Sequence, residues 1–256
     1  MINKSNLYSY LNNVLKASRY ENSFCGHYGS SLTTDSNDID ILWLVKSNVT
    51  PDQQKQIEES INNITKTMTK SHVNPIYDKS VIKDYDLLLF QLEHIAKENC
   101  FNIEFDVTFG PRLHETSKNT IHLNGPMSEQ MWNTFAIKFP FHAIGILGNM
   151  HTIYGVKPER PIISREASIE YCSIMRQRLS YQDKKIVFRK LAQSLSVIMG
   201  GCSCIEDDCL NYVFGKDSEF NKLIKQCKKN DMHLESMCEL FLKSIEICVA
   251  VKYKSL

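Results

Sequence analysis

Residues 29 to 45, GSSLTTDSNDIDILWLV, set two aspartates one residue apart at the head of an apolar run, closely behind a Gly-Ser turn. Residues i and i+2 of a strand project from the same face, so Asp38 and Asp40 stand within a few ångströms of each other. Two carboxylates held that close repel unless a cation or a shared proton offsets the charge. Hard oxygen donors presented together suit Mg2+, with Mn2+ as a substitute. A second strand pattern, FNIEFDVTFG at residues 101 to 110, alternates Ile103, Phe105 and Val107 against Glu104, Asp106 and Thr108. Asp106 is the preferred third carboxylate because a short side chain suits a rigid metal cluster, with Glu104 competing for the place. Three carboxylates converging from adjacent strands would build a two-metal site for in-line phosphoryl chemistry.

The turn ahead of the aspartates supplies the complementary half. Gly29 permits a tight turn and close backbone approach, and the N–H groups of Ser30, Ser31 and Leu32 at the start of a short helix could cradle phosphate.

Gly29-Ser30, then Asp38-Ile39-Asp40, then Asp106 resembles the signature of the nucleotidyltransferases of the DNA polymerase β superfamily. The segment ILGNMHTIYGVKPERP is similar to the one that joins catalytic and helical domains in small bacterial members, so the likeness runs loosely from residue 24 to about 190. The resemblance implies a magnesium-dependent, ATP-binding or other nucleotide-binding transferase. In it Asp38, Asp40 and Asp106 are catalytic and metal-binding, and a nucleoside monophosphate passes from an NTP to an acceptor hydroxyl with release of pyrophosphate. Gly29 and Ser30 would seat the triphosphate. The chain departs from the pattern in its short gap of eight residues between Gly29 and Asp38, with no Arg or Lys from 29 to 45.

Basic charge lies further along. Residues 157 to 190 hold nine Lys or Arg against four Asp or Glu, a local excess of +5. The spacing i, i+7, i+11 places Arg178, Lys185 and Arg189 on one helix face. By the resemblance these are the triphosphate contacts, and a solvated basic face is the plain alternative.

The elements that must position these residues follow from periodicity. Leu7, Tyr10, Leu11, Val14 and Leu15 mark an opening amphipathic helix. SFCGHYG and IDILWLV read as strands, TPDQQKQIEESINNITKTM as a capped helix, HVNPIYD as an edge strand and SVIKDYDLLLFQLEHIAKEN as a helix. TIHLNGP adds a short strand, and helical patterns dominate from about residue 140, including one run from Ser164 to a Gly-Gly stop at 200 and 201. The expected fold class is α+β, a nucleotidyltransferase-type mixed sheet flanked by helices and then a mostly helical domain. The expected domains are residues 1–125, catalytic, and 126–256, helical and closing the cleft.

Composition narrows the classes. The 256 residues are 43% hydrophobic with a net charge of +1, which suits a globular chain and disfavours a large nucleic-acid footprint. No stretch reaches the roughly 18 apolar residues of a membrane span, and the opening residues are too polar for a secretory core, so a soluble cytoplasmic protein with no membrane partner is expected. Nine scattered cysteines fit reduced thiols. Cys202, Cys204 and Cys209 lack the spacing and the His of a zinc site. The acceptor stays open among a small hydroxyl compound, tRNA, a protein side chain and a second nucleotide. A catalytically degenerate nucleotide- or partner-binding module and an oligonucleotide second-messenger synthetase stand as alternatives.

Overall fold

The computed structural model describes residues 4–17, 21–32, 38–46, 52, 55, 102–105, 120–203, 205–230 and 232–253. They divide into two compact units, one of residues 1–134 with 150–159 and one of residues 135–149 with 160–256.

The first unit is built on a five-stranded mixed sheet. Its strands are β1 (Asn22–Tyr28), β2 (Asp38–Val45), β3 (Asn102–Phe105), β4 (Thr120–Ser128) and β5 (His151–Gly155), in the order β3-β4-β2-β1-β5. β1 runs antiparallel to both β2 and β5, and β4 runs parallel to both β2 and β3. β2 lies at the centre, and Ile39, Ile41, Leu42, Trp43, Leu44 and Val45 are all buried there. A run buried on both faces needs no polar alternation, which is why the sequence reads as continuously apolar. Each such side chain contributes about 1.5–3 kcal/mol of burial, so the strand that starts with the aspartates is firmly anchored. The Trp43 indole donates to Asn22 Oδ1 at 2.9 Å, and the Asn22 amide donates to the Leu15 carbonyl at 3.0 Å. That pair of bonds ties β2 and β1 to the opening helix α1 (Lys4–Ala17), whose Leu7, Leu11 and Leu15 form its buried stripe.

Two features of the sheet differ from the sequence reading. The strand expected to be short at TIHLNGP is nine residues long and is inserted between β2 and β3. Its Gly125 and Pro126 fall where the register slips, Leu42 facing Asn124 and Leu44 facing Met127, so a bulge absorbs the proline that cannot donate to the ladder. β5 completes the sheet at the β1 edge although it lies beyond residue 125, where helical structure was expected. The patterns at HVNPIYD and SVIKDYDLLLFQLEHIAKEN lie outside the described residues. So does the helix expected after Thr50, apart from Asp52 and Lys55, which are helical.

Helix α2 (Glu129–Lys138) contains the division between the units. The second unit is helical: α3 (Pro140–Gly148), α4 (Arg165–Leu179), α5 (Lys184–Ile198), α6 (Glu206–Phe214), α7 (Glu219–Lys229) and α8 (Leu234–Lys252). α5 is its hub, packing on α3, α4, α6 and α8 through a buried stripe that includes Val187, Phe188 and Leu191. The Ser164 hydroxyl caps α4 by accepting from the Ala167 N–H at 3.0 Å, and Asp183 caps α5 by accepting from the Lys185 N–H at 2.8 Å. The single run expected from Ser164 is therefore two helices, broken where the Asp183 cap competes with helix continuation. Among the described residues no helix is long and apolar enough to cross a membrane.

Candidate functional site

Asp40 is half-buried on β2, directly opposite Tyr28 at the end of β1. The chain then turns through Gly29 at φ +95° into one 3-10 turn, Ser30–Leu32, closed by the Leu32 N–H donating to the Gly29 carbonyl at 3.4 Å. A β-carbon on Gly29 would stand 2.8 Å from Asp40 Oδ2. Glycine is thus required twice over, by a backbone angle that side chains disfavour and by the carboxylate lying against its α-carbon. The Gly-Ser turn and the second aspartate, eleven positions apart in sequence, are in direct apposition.

The turn is held from beneath. His27 is fully buried, with Nε2 2.7 Å from Ser31 Oγ and Nδ1 2.5 Å from the Tyr8 hydroxyl. The Lys4 ammonium donates to the Ser31 carbonyl. The Tyr8 ring stacks on His151 of β5, centroids 4.5 Å apart, and its burial raises the phenol pKa. In the sequence His27 carries no metal-ligand spacing and reads as a surface or satisfied histidine. The structure makes it a satisfied, buried one. One of its two partners, Tyr8, is nineteen positions upstream, which no local pattern could show.

Asp38 opens β2, in register with Thr120 of β4. Asp40 pairs with His122, and His122 pairs with Glu104, so one row crosses the sheet from Asp40 through His122 to Glu104. The strand bearing Glu104 is therefore not adjacent to β2. The convergence expected of neighbouring strands is spread over two strand spacings, about 10 Å. His122 is the residue at the row's centre that the sequence reading did not select. Asp106 lies outside the described residues, one position past the end of β3. Among the described residues no three His, Cys, Asp or Glu side chains gather as a metal site.

The basic candidates sit in the second unit and do not share one helix. Arg178 is in the last turn of α4, while Lys185 and Arg189 belong to α5, beyond the break at residues 180–183. A single-face spacing has no meaning across that break. Arg178 is half-buried, one guanidinium nitrogen 3.9 Å from the Met175 sulfur and its Nε buried without a hydrogen-bond partner. Burial pushes its pKa down. Lys185 and Arg189 are exposed. Near them the Lys190 ammonium donates to His142 Nδ1 at 3.0 Å. His142 is held well below its ordinary pKa, first by burial and then by Lys190, Arg178 and Arg189, against an opposing hydrogen bond with Gln193. Cys202 is exposed and Cys209 buried, its thiol donating to the Ser203 carbonyl at 3.2 Å, and neither forms a disulfide. Cys204 lies outside the described residues.

No family model and no curated protein matches the chain. Among solved structures it is similar to spectinomycin adenyltransferase AAD(9) from Enterococcus faecialis, crystallised with ATP and spectinomycin. The TM-score is 0.46 and the identity 11%, over 93% of this chain and 99% of that one. A likeness at that distance assigns no activity.

Proposed function

We propose that the first unit is the catalytic part of a nucleotidyltransferase that moves a nucleoside monophosphate from an NTP to an acceptor hydroxyl and releases pyrophosphate. The observation that carries this reading is the apposition of Gly29, at φ +95°, to the Asp40 carboxylate. It joins a tight glycine turn to a strand that begins with two carboxylates.

The donor chemistry suits a hard divalent cation. The Asp40 carboxylate stands at a position that a β-carbon on Gly29 would invade, and carboxylate oxygens are the ligands Mg2+ favours. In this reading Asp38, Asp40 and Asp106 hold the ion. When bound, Mg2+ neutralises charge on the phosphate oxygens around the reacting phosphorus. The protein's own work is positioning. Gly29 lets the backbone approach the triphosphate and Ser30 offers its N–H and hydroxyl. The buried β2 run keeps Asp40 from moving as charge develops, so little reorganisation is needed during transfer. Arg178, Lys185 and Arg189 are the proposed counter-charges for the triphosphate; Lys185 and Arg189 are exposed and Arg178 is half-buried.

The test is pyrophosphate release by the purified chain with Mg2+ and each of ATP, GTP, CTP and UTP, beside the Asp38→Ala/Asp40→Ala variant. Aminoglycoside or bulk tRNA is added or withheld. Release is expected from the wild type and lost by a factor of at least about 100 in the double variant, as for removal of a key electrostatic group. Dependence on an added acceptor then sorts small-molecule modification from RNA modification and from self-contained oligonucleotide synthesis. Nucleotide binding without release under every condition would replace this reading with a binding module.

A further inference from the structure

We propose that helix α1 braces the Gly29–Leu32 turn against Asp40, and that His27 is the positioning residue through which the brace acts. The functional part of this inference, control of nucleotide affinity, rests on the reading above.

Ser31 is buried at 1% exposure, and its carbonyl and hydroxyl are engaged by, or on behalf of, α1. Its carbonyl accepts from Lys4, and its hydroxyl is bonded to His27, whose other nitrogen is bonded to Tyr8. Lys4 and Tyr8 are i and i+4, neighbours on one face of the helix. The imidazole links the two hydroxyls in either tautomer. With the proton on Nε2 it donates to Ser31 and accepts from Tyr8, and with the proton on Nδ1 both directions reverse. Stacking on His151 sets where the Tyr8 hydroxyl stands. A three-residue 3-10 turn has too few internal hydrogen bonds to hold itself, so its geometry is set by these outside contacts. Gly29 is two residues from Ser31 and rests on Asp40, so fixing Ser31 fixes the spacing between turn and carboxylate.

The role is tested in the full chain with Tyr8→Phe, His27→Leu and His27→Gln. Three quantities are read: amide hydrogen exchange at residues 30–32, affinity for Mg·ATP, and Tm. Tyr8→Phe keeps the ring on His151 and removes one hydroxyl. It is expected to speed exchange at 30–32 and weaken Mg·ATP about fivefold to tenfold, the effect of one lost buried hydrogen bond, while Tm moves by only a few degrees. His27→Leu is expected to lose more, and His27→Gln, which can still bond Ser31, to recover part of it. A space-filling histidine would give no such rescue. Unchanged exchange in both Tyr8→Phe and His27→Leu, or His27→Gln no better than His27→Leu, overturns the brace. A wild type that binds no Mg·ATP overturns the nucleotide reading alone, and the exchange rates then decide the brace by themselves.

Discussion

Gly29 shows how much one residue can govern here. Replacing it with alanine forces a side chain into a φ of +95° and sets its β-carbon 2.8 Å from a carboxylate oxygen. A strained backbone of this kind costs of order 1–3 kcal/mol, and relief is available only by shifting the turn or swinging Asp40 away. Gly29→Ala is therefore expected to lower stability by that amount in chemical denaturation and to weaken nucleotide binding further than Ser30→Ala does, because only the glycine change displaces the carboxylate. Equal affinities for the two variants would show that Asp40 does not share the nucleotide's site. At the same scale, Asp38-Ile-Asp and Gly-Ser were legible in sequence because each is a local pattern with its own chemistry. His27 was not, since its partners come from α1 and from the turn itself.

Elements in this chain are spaced by what must fit between them. In the helical unit α3 and α5 pack closely enough that Gln193 occupies the space beside Gly145. The amide nitrogen lies 1.6 Å from where a β-carbon would be. Gly145→Ala cannot be absorbed without moving Gln193, which is buried and bonded to His142. The expected cost is about 1–3 kcal/mol, the range for overpacking a filled core. Double replacement with Gln193→Ala should recover much of it, which equilibrium unfolding of the single and double variants would read. The sheet shows the same logic. A Gly-Pro pair that argues against a long central strand is tolerated in β4 because the ladder bulges there. Periodicity located that strand but could not give its length or its neighbours, since strand order depends on pairings between residues far apart in the chain.

Across the molecule, charge is distributed so that pH bears unequally on its parts. His142 has its pKa held well below the ordinary value by burial and by three cations. A histidine of this kind is neutral when folded near neutral pH and takes up a proton on unfolding, so its contribution is complete above about pH 6.5 and is lost progressively as pH falls from there toward the depressed folded pKa. The slope it adds is at most about 1.4 kcal/mol per pH unit. Unfolding free energy should begin to decline in the wild type as pH falls to about 6.5 and go on declining toward the depressed folded pKa, and the decline should flatten in His142→Gln. A carboxylate contribution lies lower. Glu246 is pulled below its ordinary pKa, first by its hydrogen bond to Arg176, so its share fades only as pH drops beneath the usual carboxylate range. A wild-type profile as flat as the variant's would mean that His142 is already protonated in the folded state.

Sequence by itself determined the local chemistry: the paired aspartates, the glycine turn, the apolar run that anchors them, and the succession from strands to helices. Those depend on neighbours within a few positions, where spacing and side-chain type are sufficient causes. Tertiary structure alone decided that β4 stands between β2 and β3 and that β5 returns to the sheet after two helices. It also decided that Gly29 touches Asp40 and that α1 reaches the turn through His27. Each of these is a contact whose free energy appears only when distant segments are packed together, so no window along the chain contains it.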